Sequence, residues 1–169
     1  EFRRVLFRSK PPLLLVHGSR DHCRSWDWTA EALREDWHVI AVDNRGHGDS
    51  EWVSDGNYRT MDMVYDLAQL VHQLNLAPVT IVSHSWGAIV SLRYAGLFPE
   101  DVRKLVAIEG IFPTPEWEMP MKDVPFARRI RDYIAEKRKA AGRLPRRYPT
   151  LADAFARMKA ENPYLTDEQ

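Results

Sequence analysis

Four short apolar runs punctuate the first two thirds of the chain: Leu13–Val16, His38–Val42, Val79–Val82 and Lys104–Ile108. Their length and aliphatic character are those of buried parallel strands. Between them the apolar positions change to a spacing of three and four. The clearest case is Thr60–Asn75, where Met63, Val64, Leu67, Leu70, Val71 and Leu74 line one helical face. Thr60 reads as its N-cap, and Asp62 lies in the first turn, where the helix dipole favours an anion. Ser25–Glu35 and Trp86–Leu97 carry the same spacing, the second stopped by Phe98-Pro99. Strand alternating with helix predicts an α/β fold with a mostly parallel sheet and right-handed crossovers.

Ligands of such sheets gather outside the carboxyl ends of the strands. The polar residues cluster there: His17-Gly18-Ser19-Arg20, Asp43 to Ser50, Ser83 to Gly87, and Glu109-Gly110. After Ile111 the pattern changes. Pro113, Pro115, Pro120 and Pro125 interrupt the chain, and two amphipathic stretches follow at Ala127–Ala141 and Leu151–Glu161. No strand pattern returns, so residues 113–169 are expected to form a separate helical layer, incomplete at Gln169.

Composition narrows the function classes. A chain of 169 residues with 44% apolar and 28% charged content suits one soluble domain, or part of a larger one. The formal net charge is zero, which gives no global attraction to nucleic acid or to an anionic membrane. Nine basic residues between Arg128 and Arg147 read as a solvated helix face. Cys23 is the single cysteine, so no intrachain disulfide can form and no cysteine zinc site is supported. A reducing, cytoplasmic setting is the expectation. No apolar run approaches the ~20 residues of a membrane span. Residues 1–10 fit the rest poorly. Val5-Leu6-Phe7-Arg8-Ser9 back-translates to the end of a common sequencing adaptor, so this leader reads as a scar, the alternative being an edge strand.

The chemistry concentrates in Ser83-His84-Ser85-Trp86-Gly87, set between the strand V-T-I-V and an amphipathic helix. A serine on a sharp strand-to-helix turn needs small residues two before and two after it, where backbones approach closely. Ser83 and Gly87 meet that need, although glycine is usual at the first position. The Trp86 N–H, at a helix N-terminus, would face a developing oxyanion. A bare S-x-S-x-G arises by chance; its context makes it specific. His17-Gly18-Ser19 follows the first strand, and the Ser19 N–H is the candidate second donor. The His17 side chain reads as loop-shaping, bonded to neighbouring backbone. Arg45-Gly46-His47-Gly48-Asp49-Ser50 matches no phosphate loop; Arg45 and Asp49 are expected to brace the turn together.

These segments, in this order, resemble the α/β-hydrolase superfamily over roughly residues 11–112: His-Gly after one strand, D-x-R-G-H-G-x-S after the next, and the S-H-S-W-G elbow after the third. The resemblance implies a partial α/β-hydrolase core over 11–112 and the start of a helical cap over 113–169. It implies Ser85 as nucleophile, Ser19 and Trp86 as oxyanion donors, and a histidine and an acid as partners. It implies a small-molecule ester, lactone or related carbonyl substrate, an acyl-enzyme, and no metal or organic cofactor. Dehalogenases and epoxide hydrolases of the superfamily usually carry Asp where Ser85 stands. Trp117, Met119 and Met121 are cap residues that would line the substrate pocket. Glu109 is a candidate acid, or else a carboxylate that binds loop amides.

The base is expected downstream, in the order serine, acid, histidine. His17, His22, His38, His47, His72 and His84 all precede Ser85. These residues therefore carry a nucleophile without its base, and the isolated chain is expected to be inactive. Two other outcomes stay open: a non-catalytic binding protein using the same pocket, and a serine-dependent C–C hydrolase.

Overall fold

The structure is a computed structural model that describes residues 10–110, 123–141, 147–164 and 166. It divides into two compact units, Glu1–Pro115 and Glu116–Gln169.

The first unit holds a four-stranded parallel sheet. Its strands are β1 (Pro12–Val16), β2 (His38–Val42), β3 (Val79–His84) and β4 (Val102–Ile108). They lie in the order β2-β1-β3-β4. Leu14 of β1 stands opposite both Ile40 and Ile81, so β1 is hydrogen-bonded on both sides. The chain moves outward from β1 in both directions, which opens a crevice at the carboxyl ends of β1 and β3. The candidate elbow and the His-Gly loop sit on the two sides of that crevice.

Helices cover both faces. α2 (Thr60–Gln73) and α3 (Trp86–Leu97) pack Met63, Val64, Leu67, Val90 and Tyr94 against Leu14, Val16, Val79 and Ile81. On the other face, Leu13 and Leu15 meet Trp26 from a 3-10 turn (Cys23–Trp26), with Ala30 and Leu33 of α1 (Asp27–Leu33). The alternation of β1 thus supplies both cores from consecutive residues. Each fully buried aliphatic side chain contributes about 1.5–3 kcal/mol relative to exposure.

The apolar pattern located the four strands and three α-helices of this unit, though not the 3-10 turn at Pro99–Asp101, and α3 begins and ends where its spacing predicts. Two details differ. The segment predicted as one helix over Ser25–Glu35 is a 3-10 turn followed by a shorter α-helix. The cap of α2 is Arg59 rather than Thr60, and Asp62 accepts the Arg59 N–H at 2.8 Å. The acidic side chain thus satisfies the N-cap amide by reaching back, as the N3 residue of a capping box does.

The second unit contains α4 (Phe126–Ala141) and α5 (Leu151–Glu161). Thr150 caps α5 reciprocally: its Oγ1 accepts from Asp153 N–H at 3.1 Å, and Asp153 accepts the Thr150 N–H. Among the described residues no helix is long and apolar enough to cross a membrane.

Candidate active site

β3 runs straight into Ser85, whose backbone takes φ 51° and ψ −118°, and α3 starts at the next residue. Such a conformation is costly for a residue with a Cβ and persists only where its surroundings fix it. Here the Ser85 N–H donates to the Ile108 carbonyl at 2.9 Å, and the Ser85 carbonyl accepts from Ala88 N–H at 3.0 Å. Although Ser85 occupies the N-cap position of α3, its side chain does not cap the helix. The hydroxyl is left pointing out of the turn's own hydrogen bonding.

Close backbone approach makes the corner possible. A Cβ at Gly87 would overlap the His17 carbonyl and lie 2.7 Å from the Val16 carbonyl. One at Gly110, where φ is 63°, would overlap the Ser85 carbonyl. Glycine alone therefore fits where α3 crosses the end of β1 and where the chain leaving β4 passes Ser85. Gly18 lies against the same corner, with Ser85 Cβ and His84 Nδ1 each 3.1 Å from where its Cβ would stand. Ser83 stands in place of the usual glycine. It is fully buried, and its Oγ lies 3.4 Å from the Val106 carbonyl.

Two loops frame this corner. His17 is fully buried; its Nε2 accepts from Asn44 N–H at 3.0 Å and its Nδ1 meets the Gly18 carbonyl at 2.7 Å. A backbone N–H can only donate, so Nε2 is the bare nitrogen and Nδ1 carries the proton. Burial holds the His17 pKa below its ordinary value against the pull of the Gly18 carbonyl, with His47 adding to the lowering. A neutral ring bonded twice to backbone shapes the loop and has no nitrogen left to move protons. Ser19, the candidate oxyanion donor, is exposed in the loop immediately after Gly18.

Asp43 ties the same loops through its carboxylate, which accepts Cys23 N–H at 2.7 Å and Asp49 N–H at 3.0 Å. Burial opposes its ionisation. The two backbone donors, the Cys23 thiol and His17 outweigh that and leave the carboxyl below its ordinary pKa. The same burial, with Asp43 beside it, pushes the Cys23 thiol up to about 11, so it stays protonated and unreactive at neutral pH.

Arg45 does not brace Asp49. It forms a bidentate pair with Asp66 on α2, both contacts at 2.5 Å, and donates to the Asn57 carbonyl at 2.9 Å. Asp49 takes part through its backbone, on Asp43. A planar guanidinium fits a carboxylate facing it squarely across the loop, and that geometry outweighs proximity in sequence. Asp66 was missed in the sequence; its signal was a carboxylate beside the apolar stripe of α2.

Glu109 has a partner that the sequence reading did not give it. Its carboxylate lies 3.7 Å from His84 Nε2, both side chains being substantially exposed. The backbone at Glu109 is left-handed, at φ 57°, which turns the chain at the end of β4. Trp117, Met119 and Met121 lie outside the described residues. Among the described residues no group of three or more His, Cys, Asp or Glu side chains could hold a metal ion.

Comparison with known proteins agrees with this architecture. Residues 11–167 match the family model described as alpha/beta hydrolase fold. The chain is 31% identical over 160 residues to a zebrafish (Danio rerio) serine hydrolase-like protein, covering 93% of this chain and 48% of that protein. It is 29% identical over 109 residues to human epoxide hydrolase 4, covering 64% of this chain and 30% of that one. A crystal structure of a putative lipase from Acinetobacter baumannii superposes with a TM-score of 0.59 at 32% identity, over 67% of this chain and 40% of the lipase. The chain thus spans about half or less of the length of these relatives. A family match over nearly the whole chain, on a parallel sheet with a strained serine at its crevice, establishes that the chain belongs to the alpha/beta hydrolase fold family.

Proposed function

We propose that Ser85 is the nucleophile of a serine hydrolase acting on an ester, lactone or related carbonyl substrate. Its hydroxyl adds to the carbonyl carbon, the alcohol leaves, and water cleaves the acyl-enzyme. The Trp86 and Ser19 N–H groups would bind the oxyanion, Trp86 with the added field of the α3 N-terminus. The observation that carries the reading is the Ser85 backbone, at φ 51° and ψ −118°, with a hydroxyl that does not cap its helix.

The epoxide hydrolase relative does not redirect the proposal. Epoxide opening through an alkyl-ester intermediate needs a carboxylate nucleophile, and the corner carries a hydroxyl. Glu109 is the proposed acid, directly after β4. The base is not among these 169 residues, because every histidine precedes the nucleophile. His84 does not replace it, since it is adjacent in sequence and turned toward Glu109. On this reading the chain alone hydrolyses esters weakly or not at all. The chemistry calls for no metal or organic cofactor.

A fluorophosphonate probe tests the assignment. In a form of the protein that includes the base, Ser85 becomes labelled and Ser85→Ala removes all labelling. A folded, base-containing protein that resists the probe would overturn the hydrolase reading in favour of a binding module.

A further inference from the structure

The two loops at the crevice hold each other through a reciprocal pair of histidines. His17, on the loop after β1, accepts the N–H of Asn44 on the loop after β2 at 3.0 Å. His47, on the loop after β2, accepts the N–H of Arg20 on the loop after β1 through Nε2 at 3.2 Å. The other nitrogen of His47, Nδ1, meets the Arg45 carbonyl at 3.0 Å. Because Arg20 N–H is the donor, Nε2 is unprotonated and Nδ1–H donates to Arg45. Both ring nitrogens are thus committed.

The His47 ring is also a wedge. Its centroid stands 5.2 Å from that of His17 and 6.3 Å from that of Trp86. It thus contacts the residues on either side of the crevice, including the one that follows Ser85. The Arg20 backbone that it holds is left-handed, at φ 61°, an uncommon conformation for a non-glycine residue. Without an acceptor for its N–H, that turn loses the hydrogen bond that ties it, and the adjoining Ser19, to the loop after β2.

We propose that His47 is a positioning residue: it locks the left-handed Ser19–Arg20 turn against the Trp86 side of the crevice, and so aims the Ser19 N–H at the carbonyl attacked by Ser85. The aim at a carbonyl rests on the hydrolase reading; the lock does not. His47 touches neither substrate nor Ser85 in this role and acts through Arg20.

Amide hydrogen exchange on the full chain tests the lock directly. In His47→Phe, which keeps a ring but no acceptor, the Arg20 amide exchanges faster by roughly fivefold or more, as loss of one hydrogen bond implies. In His47→Gln, whose amide can accept from Arg20 and donate to Arg45, protection returns. The Val71 amide, in the core of α2, serves as the folding control and is unchanged in both variants. Equal Arg20 exchange in the unsubstituted and His47→Phe chains overturns the proposal, as does a His47→Gln chain that behaves like His47→Phe. In a base-containing form, fluorophosphonate labelling of Ser85 slows in His47→Phe and recovers in His47→Gln. Labelling that fails in the unsubstituted protein counts against the hydrolase reading and leaves the exchange comparison intact. Labelling that proceeds normally in His47→Phe while Arg20 is deprotected shows that the lock does not serve the oxyanion site, and overturns the aim.

Discussion

Gly110 and Gly56 both have positive φ, 63° and 74°, yet only one of them touches the serine corner. Around Gly56 nothing lies within 4 Å of where a Cβ would stand, whereas at Gly110 that Cβ would overlap the Ser85 carbonyl. Gly56→Ala therefore carries only the penalty of a Cβ in the left-handed region, about 1–2 kcal/mol. Gly110→Ala adds displacement of the backbone that holds Ser85, and should cost about 3 kcal/mol or more. Urea unfolding of the two variants measures the contrast. Equal losses would mean that the Ser85 backbone yields freely and that its strained geometry is not fixed by its neighbours.

The loops after β1 and β2 are held by ionisable groups whose preferences oppose acid. Asp43 is stabilised as a carboxylate by the Cys23 and Asp49 amides, so its folded pKa lies below that of the unfolded chain. Its contribution to stability is complete above about pH 4, the unfolded aspartate value, and is lost as pH falls through the lower folded value. His17 acts in an earlier window. Its folded pKa is lowered by burial, so the unfolded chain takes up a proton first, and stability declines as pH falls below about 6.5. Asp43→Asn should be less stable than the unsubstituted chain at pH 7, and the gap should narrow below about pH 4. A gap that stays constant between pH 7 and pH 3, by urea titration, would remove Asp43 from the latch. Of this pairing only the bond of His17 to its neighbouring backbone was legible in the sequence. The apolar periodicity reveals strands and helices because burial repeats along the chain, and S-H-S-W-G reveals a corner because the turn is local. The partners Asn44–His17, Arg20–His47 and Arg45–Asp66 stand 27, 27 and 21 residues apart, and become neighbours only once β1 lies between β2 and β3. Likewise the runs that predict four strands contain nothing that states their order.

The two units differ in what holds them together. In the first, β1 and β3 bury Leu13, Leu14, Leu15, Val79 and Ile81 almost completely, and two helices close over one face. In the second, none of the residues of α5 is buried; Leu151 is 87% exposed, Met158 61% and Phe155 48%. The described side chains of α4 are exposed as well. Helices of 16 and 11 residues have little intrinsic stability in water and depend on burial of an apolar face. The Thr150–Asp153 capping box and the Arg157–Glu161 pair support α5. A cap contributes about 1 kcal/mol and an exposed ion pair less, neither enough to replace a core. Local opening of α4 should therefore be far easier than opening of α2 or α3. Limited trypsin digestion reads this order, because α4 offers Arg128, Arg129, Arg131, Lys137, Arg138 and Lys139. The first cuts should fall between Arg128 and Lys139, while Arg93 within α3 remains intact until the sheet unfolds. Simultaneous loss of both regions would mean that α4 and the sheet open as one cooperative unit, and that the apolar faces of α4 and α5 are covered in solution.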